Sequence, residues 1–210
     1  MSHYLTRLRL AVTDPAVQDT LANPYRLHQA VFAGFDRAER NGSRVLYRLE
    51  PELTRQRQRV VLVQSVLAPD WRRPGGERWG DAPQVEIRPL DLHELRIDAG
   101  QTVRFRLLAN PTVKRRQTDD GPTVRRGLYS LEEQEAWLAR KLAAAGAAPL
   151  DVLTTDEGIW QAGDRRWLAV RYDGHLRVRD PAALRAALAA GIGSAKGFGF
   201  GLLSLGPPRG

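Results

Sequence analysis

The chain has 210 residues, 42% of them hydrophobic, enough for one large domain or two of about 100 residues with real cores. It has no cysteine, which excludes disulfides, thiolate metal sites and thiol nucleophiles. The formal charge is +8, and Lys114, Lys141 and Lys196 are the only lysines among 32 basic residues, leaving 29 arginines. Such a balance favours a polyanionic partner, because pairing cations with phosphates releases condensed counterions. No apolar run approaches the roughly 18 residues that span a bilayer. A cytoplasmic protein with no membrane partner is expected.

In chain order, "HYLTRLRLAV" sets Tyr4, Thr6, Leu8 and Leu10 on one face and Leu5, Arg7 and Arg9 on the other, the alternation of a half-exposed strand. A polar connection follows. Asn23 then caps a helix with Pro24 at its first position, and Leu27, Ala30, Val31, Gly34, Phe35 and Ala38 keep the helical period up to "NGS" at 41–43. Residues 44–50 and 59–66 read as two strands joined by a short polar hairpin connection. The stretch 68–83, rich in Pro, Gly, Arg and Trp, allows only a short or irregular helix before a strand from Gln84. The order is β-α-β-β-(weak α)-β, that of a ferredoxin-like unit.

The second half repeats this order. A strand from Gln101 ends at Asn110-Pro111, and "KRRQTDDGPTVRRG" reads as a polar, basic loop. Ser130 caps a helix with Glu133 at the capping-box spacing and Gly146 at its stop. Two short strands follow, at 158–162 and 167–171, with "GDRR" between them. "HLRVRD" is a further extended piece, Asp180-Pro181 starts a last helix, and "GFGLLSLGP" is a last strand. The expected fold class is therefore α+β, two tandem ferredoxin-like (RRM-like) domains, each an antiparallel sheet with helices on one face. The boundaries are 1–97 and 98–210.

Between the last helix and the last strand lies "GIGSAKGFGFG", residues 191–201. Its glycines let backbone N–H groups come close to phosphates, and Lys196 adds a point charge. A dinucleotide fingerprint would need glycine where Lys196 stands, a P-loop would need Gly-Lys-Ser/Thr, and both need the opposite order of strand and helix. The spacing resembles the glycine-rich signature of CRISPR-associated repeat-RNA proteins, and "GIGSAKGFGFGLLSLGP" resembles the C-terminus of CasE-type endoribonucleases of Cascade complexes. "YLTRLRL", "YRLHQAVF", "VLVQS", "FRLLANPT" and "EEQEAWLARKL" agree with it in one order along the whole chain.

On the helix from Pro24, His28 falls at the border of the apolar face with Tyr25 one turn earlier. By itself such a histidine is usually structural or merely exposed. The resemblance implies more: the family's catalytic tyrosine and histidine occur as Y-x-x-H on this helix, matched here by Tyr25 and His28. It implies cleavage of a repeat stem-loop at the base of its stem, leaving a cyclic phosphate and a free 5′-hydroxyl, with the product kept in the Cascade assembly. No metal or other cofactor is expected, since RNA brings its own 2′-hydroxyl nucleophile and histidine can move the proton near neutral pH. Whether His28 is base or acid stays open. Tyr25 could orient the phosphate or the ribose.

Arg165 and Arg166 in "GDRR" match the family's groove-inserting hairpin in position, although the hairpin reads as short. Lys114, Arg115, Arg116, Arg125 and Arg126 form a second basic element for RNA, and Gly193, Ser194 and Lys196 are candidates to hold phosphates near the cut. Asp119-Asp120 reads as a turn. The alternatives are a non-catalytic RNA-binding subunit of the same complex and a nucleotide-phosphate enzyme built on the glycine loop.

Overall fold

The computed structural model describes residues 3–40, 42–51, 55–73, 75–80, 83–116 and 123–207. In the first half, β1 (His3–Ala11), β2 (Val45–Leu49), β3 (Gln58–Ser65) and β4 (Gln84–Leu90) form an antiparallel sheet in the order β2-β3-β1-β4. Leu8 and Leu10 of β1 point into its core while Arg7 and Arg9 turn outward to Glu86, as the alternation predicts. In the second half, β5 (Thr102–Ala109), β8 (Ala147–Ala162), β9 (Arg165–Val178) and β10 (Leu203–Gly206) form a sheet in the order β10-β5-β9-β8. Counted within each half, both sheets have the order 4-1-3-2, so the two ferredoxin-like units are present.

Four local expectations need correction. The "polar connection" after β1 contains a helix, α1 (Pro15–Ala22): the Asp14 carboxylate accepts from the N–H groups of Ala16 and Val17, with Pro15 at the first position. Its period is faint because only Val17 and Thr20 are buried. The next helix, α2 (Pro24–Ala33), begins as expected, with the Asn23 side chain accepting from Tyr25 and Arg26 N–H, but stops well before Ala38. Trp71 packs where a side chain on Gly34 would stand, and the Asp36 carboxylate then accepts from the Ala38 N–H in a turn.

The basic "loop" is a two-stranded ribbon, β6 (Thr112–Arg116) against β7 (Thr123–Gly127). Asp119-Asp120 lies outside the described residues. The hairpin carrying "GDRR" is long, because β8 runs for 16 residues and β9 for 14. Register shifts between Pro149 and Asp151 and between Asp156 and Ile159 break the two-residue period, so the sequence shows only fragments of these strands. "HLRVRD" begins within the end of β9.

The helices follow their caps. α3 (Leu131–Ala144) opens on the Ser130 hydroxyl, which accepts from Glu133 N–H and donates to its carboxylate, and α4 (Pro181–Ala190) opens on Asp180. In the first half the weak second helix is a single 3-10 turn, Gly76–Trp79, and the buried rings of Phe35, Trp71 and Trp79 meet edge to face in the space it leaves. One apolar core lies under α1 and α2, another under α3 and α4; Leu92 and Ile97, on the connection before β5, pack into the second. No helix among the described residues is long and apolar enough to cross a membrane.

A third, smaller cluster of Leu108, Trp167, Ala169 and Phe200 sits on the opposite face of the second sheet. Arg48 of β2 reaches the second half. Arg48 is 2% exposed, and its guanidinium donates to the carbonyls of Leu202 (2.9 Å) and Arg106 (3.3 Å), to Ser204 Oγ, and to Glu50 at 2.6 Å. Glu50 also binds Arg106 at 2.7 Å, and Arg106 binds Asp173 at 2.6 Å, so one line of charges joins the halves. Removing one member of a buried ion pair strands the other and costs about 3–5 kcal/mol. Because Glu50 keeps Arg106, Arg48→Ala is expected to lower unfolding stability by about 3 kcal/mol, the lower end of that range, read as an earlier urea midpoint.

Candidate nucleic-acid interface

The glycine-rich segment leaves α4 and closes on itself. The Ile192 N–H donates to the Gly201 carbonyl at 2.9 Å, and the Gly201 N–H donates to Leu108 of β5 at 2.8 Å. Gly201 has φ +88°, and a Cβ there would stand 2.6 Å from the Ile192 carbonyl oxygen, so only glycine fits. The loop so anchored projects the 3-10 turn Lys196–Phe198 toward α2 of the other half.

Here the sequence's two strongest signals meet. His28 Nδ1 lies 2.6 Å from the Gly197 carbonyl oxygen, and the Tyr47 hydroxyl donates to the same oxygen at 3.0 Å. A carbonyl can only accept, so Nδ1 carries the proton, and neutral His28 keeps its lone pair on Nε2. The ring is packed between Phe32 (centroids 4.3 Å apart) and Phe198 (5.2 Å), with Tyr25 at 6.2 Å on the same helix side. Burial pulls the imidazole pKa below its usual 6.5; the Gly197 carbonyl opposes this and the Arg40 charge adds to it. Arg40 itself lies over the Phe32 ring at 4.8 Å and donates to the Phe32 carbonyl. Tyr25 is half exposed, whereas Tyr47 is fully buried, which pushes its phenol far above the ordinary value.

Beside Gly197 opens a cleft of about 880 Å³. Of the candidate residues, Gly193, Ser194, Lys196, Arg125, Arg165 and Arg166 line it. Lys196 spends one N–H on the Ala190 carbonyl at 2.9 Å, and burial together with nearby Arg44 and Lys141 lowers its pKa. Ser194 donates to the Asn110 carbonyl at 3.3 Å. The ribbon divides its cations by face: Lys114 pairs across from Arg125 and shares its side with Arg116, while Arg115 and Arg126 lie on the other side. Arg126 is tied to Glu133 at 3.1 Å. The cleft therefore gathers part of the basic set: Arg125 of the ribbon lines it, and Lys114, Arg115, Arg116 and Arg126 are not among its lining residues.

The sequence reading missed Arg44, Tyr129 and Trp167, which also line the cleft, and Tyr47 and Arg40 beside His28. Arg44 and Arg40 carry the signal of any arginine in a basic chain. Tyr47 reads as an ordinary strand aromatic, and nothing local sets it apart. Of the other histidines, His3 is buried on β1 and His175 pairs with Asp151 at 3.0 Å. Among the described residues no group of three or more His, Asp or Glu side chains could hold a metal ion.

Comparison with known proteins agrees along the full length. The family model for CRISPR associated protein matches residues 3–207. The CRISPR-associated endoribonuclease Cse3 of Thermus thermophilus is 33% identical, with 97% of this chain and 100% of that protein covered. Its structure bound to an RNA representing a pre-cleavage complex superposes with a TM-score of 0.84 at 33% identity, over 99% of this chain and 100% of that one. The Cas6e protein of Escherichia coli superposes with a TM-score of 0.71 at 27% identity, over 97% and 99% of the two chains. With a family model and a relative both matched from end to end, the chain belongs to the CRISPR-associated protein family.

Proposed function

We propose that this chain is an endoribonuclease that binds the stem-loop of CRISPR repeat RNA in the arginine-lined cleft and cuts the precursor beside His28. In this reading residues 1–97 supply the catalytic helix and residues 98–210 the ribbon, the hairpin and the glycine loop. The Thermus relative is named an endoribonuclease and was solved with RNA, and a chain of a CRISPR RNA-guided surveillance complex superposes with a TM-score of 0.64 at 27% identity. The Escherichia coli relative, 32% identical over 54% of this chain, is named a Cascade subunit. That kinship supports retention of the product in such an assembly, in the cytoplasm.

The observation that carries the reading is the bond between His28 Nδ1 and the Gly197 carbonyl at the edge of the cleft. It leaves Nε2 as the nitrogen that can accept a proton. A ribose seated there gives its 2′-proton to Nε2 as the 2′-oxygen attacks the adjacent phosphorus; the bond to the 5′-oxygen breaks, and that oxygen leaves as a hydroxyl after taking a proton. The products are a cyclic phosphate and a 5′-hydroxyl. Lys196 and the cleft arginines offset charge on the crowded phosphorane. Tyr25, one turn from His28, orients the phosphate or ribose. The reaction needs no metal because the nucleophile is part of the substrate.

The test is cleavage of a repeat stem-loop transcript by the full chain in EDTA. Cleavage is expected, and His28→Ala should lower its rate by about 10²–10⁴ with RNA affinity kept. Uncut RNA, equal cutting by His28→Ala, or strict dependence on a divalent ion would defeat the reading. The rate should also follow the neutral imidazole: level near neutral pH and falling only as the solution is acidified through a pKa below 6.5. Tyr47→Phe leaves the Gly197 carbonyl to the imidazole alone and favours the charged ring. Its acid limb should move to higher pH with RNA affinity unchanged.

A further inference from the structure

Tyr129 is an aromatic ring that the fold does not use. It precedes the Ser130 cap of α3, where an apolar residue often packs against the fourth helical position, but that position is Gln134 and Tyr129 remains 67% exposed. Its backbone is nonetheless fixed. The buried Gln134 amide donates to the carbonyls of Leu128 (3.1 Å) and Tyr129 (3.4 Å), and Leu128 N–H donates to Pro111 at 3.1 Å.

The ring lies against Gly127, the last residue of β7. A Cβ on Gly127 would stand 3.2 Å from Cε2, Cζ and Oη of Tyr129, tighter than side chains normally pack. Gly127 has no left-handed φ, so its backbone does not require glycine. The space it leaves is taken by the tyrosine. Both residues line the cleft with Arg125, Arg165, Arg166 and Ser194.

Resting on the RNA reading above, we propose that Tyr129 is a stacking platform for one unpaired nucleobase of the bound RNA. Bases within a stem are stacked on one another and their faces are closed to a side chain. An exposed, backed ring among phosphate-binding cations suits a splayed base beside the stem or in its loop. Stacking tolerates any base identity, so the subsite sets position along the strand.

The experiment measures binding of the full chain to repeat RNA. Tyr129→Ala is expected to weaken binding about tenfold while Tyr129→Phe stays near the original affinity. Gly127→Ala, which crowds the ring, should weaken binding too, and combined with Tyr129→Ala should add nothing. On the RNA side, with the protein unaltered, abasic substitution at one unpaired nucleotide should give the same loss and should abolish the effect of Tyr129→Ala. Tyr129→Ala binding as tightly as the original chain, or no unpaired position sensitive to base removal, would overturn the subsite and leave the nuclease reading intact. Failure of the unaltered chain to bind repeat RNA at all would end both.

Discussion

One carbonyl oxygen holds the candidate site together. Gly197 belongs to the second half of the chain, and the two groups that donate to its oxygen, His28 Nδ1 and the Tyr47 hydroxyl, belong to the first. The imidazole's tautomer, its tilt and its place beside the cleft all depend on how the two sheets are docked. A single hydrogen bond contributes only about 1 kcal/mol net, too little to hold such an arrangement. The docking rests on more extensive contacts: the buried Arg48 network and the buried Gln64 amide of β3, which donates to the Leu188 carbonyl of α4 at 2.8 Å, while Trp167 packs on Phe198 (4.3 Å) within the second half. Phe198 stacks on His28 as well, so the ring that covers the imidazole is itself fixed by the second sheet.

The two halves share one topology and diverge where it matters for the cleft. In the first, the second helix shrinks to a 3-10 turn and tryptophans fill its space, which builds core and no surface feature. In the second, the ribbon β6–β7 is inserted after the first strand and the hairpin β8–β9 is extended. Both additions rise on the side where the glycine loop lies, and both carry arginine. The pair of sheets thus carries two arginine-bearing projections, the usual division between scaffold and binding surface.

Most of the architecture was legible because it rests on local chemistry. Asn23-Pro24, Ser130 with Glu133, and Asp180-Pro181 mark helix starts through side chains that satisfy free N–H groups, and each does so in the structure. Asp14-Pro15 has the same chemistry, and only its short, half-polar continuation hid it. The long hairpin was illegible for a different reason: bulges shift the alternation, and a period broken twice reads as separate strands. The pairing of Tyr25 with His28 was visible as a motif. The partners that give it meaning, Tyr47 and Gly197, are 150 residues apart and are joined only by tertiary docking.

Composition gave a basic protein, but it could not say which arginines are available. The fold separates them. Arg9, Arg48, Arg73, Arg106, Arg126 and Arg171 are held by carboxylates, and their charge is balanced within the protein. Arg44, Arg125, Arg165 and Arg166 line the cleft and form no ion pair among the described residues. The cleft beside Gly197 therefore gathers cations that no carboxylate among the described residues balances. Unpaired cations crowded around a cleft repel one another, a cost that a bound polyanion removes, and binding also releases the anion's condensed counterions. A polyanion seated there would relieve that repulsion, while contacts to the exposed ring of Tyr129 and to Phe198, which also line the cleft, would be ones that salt does not screen.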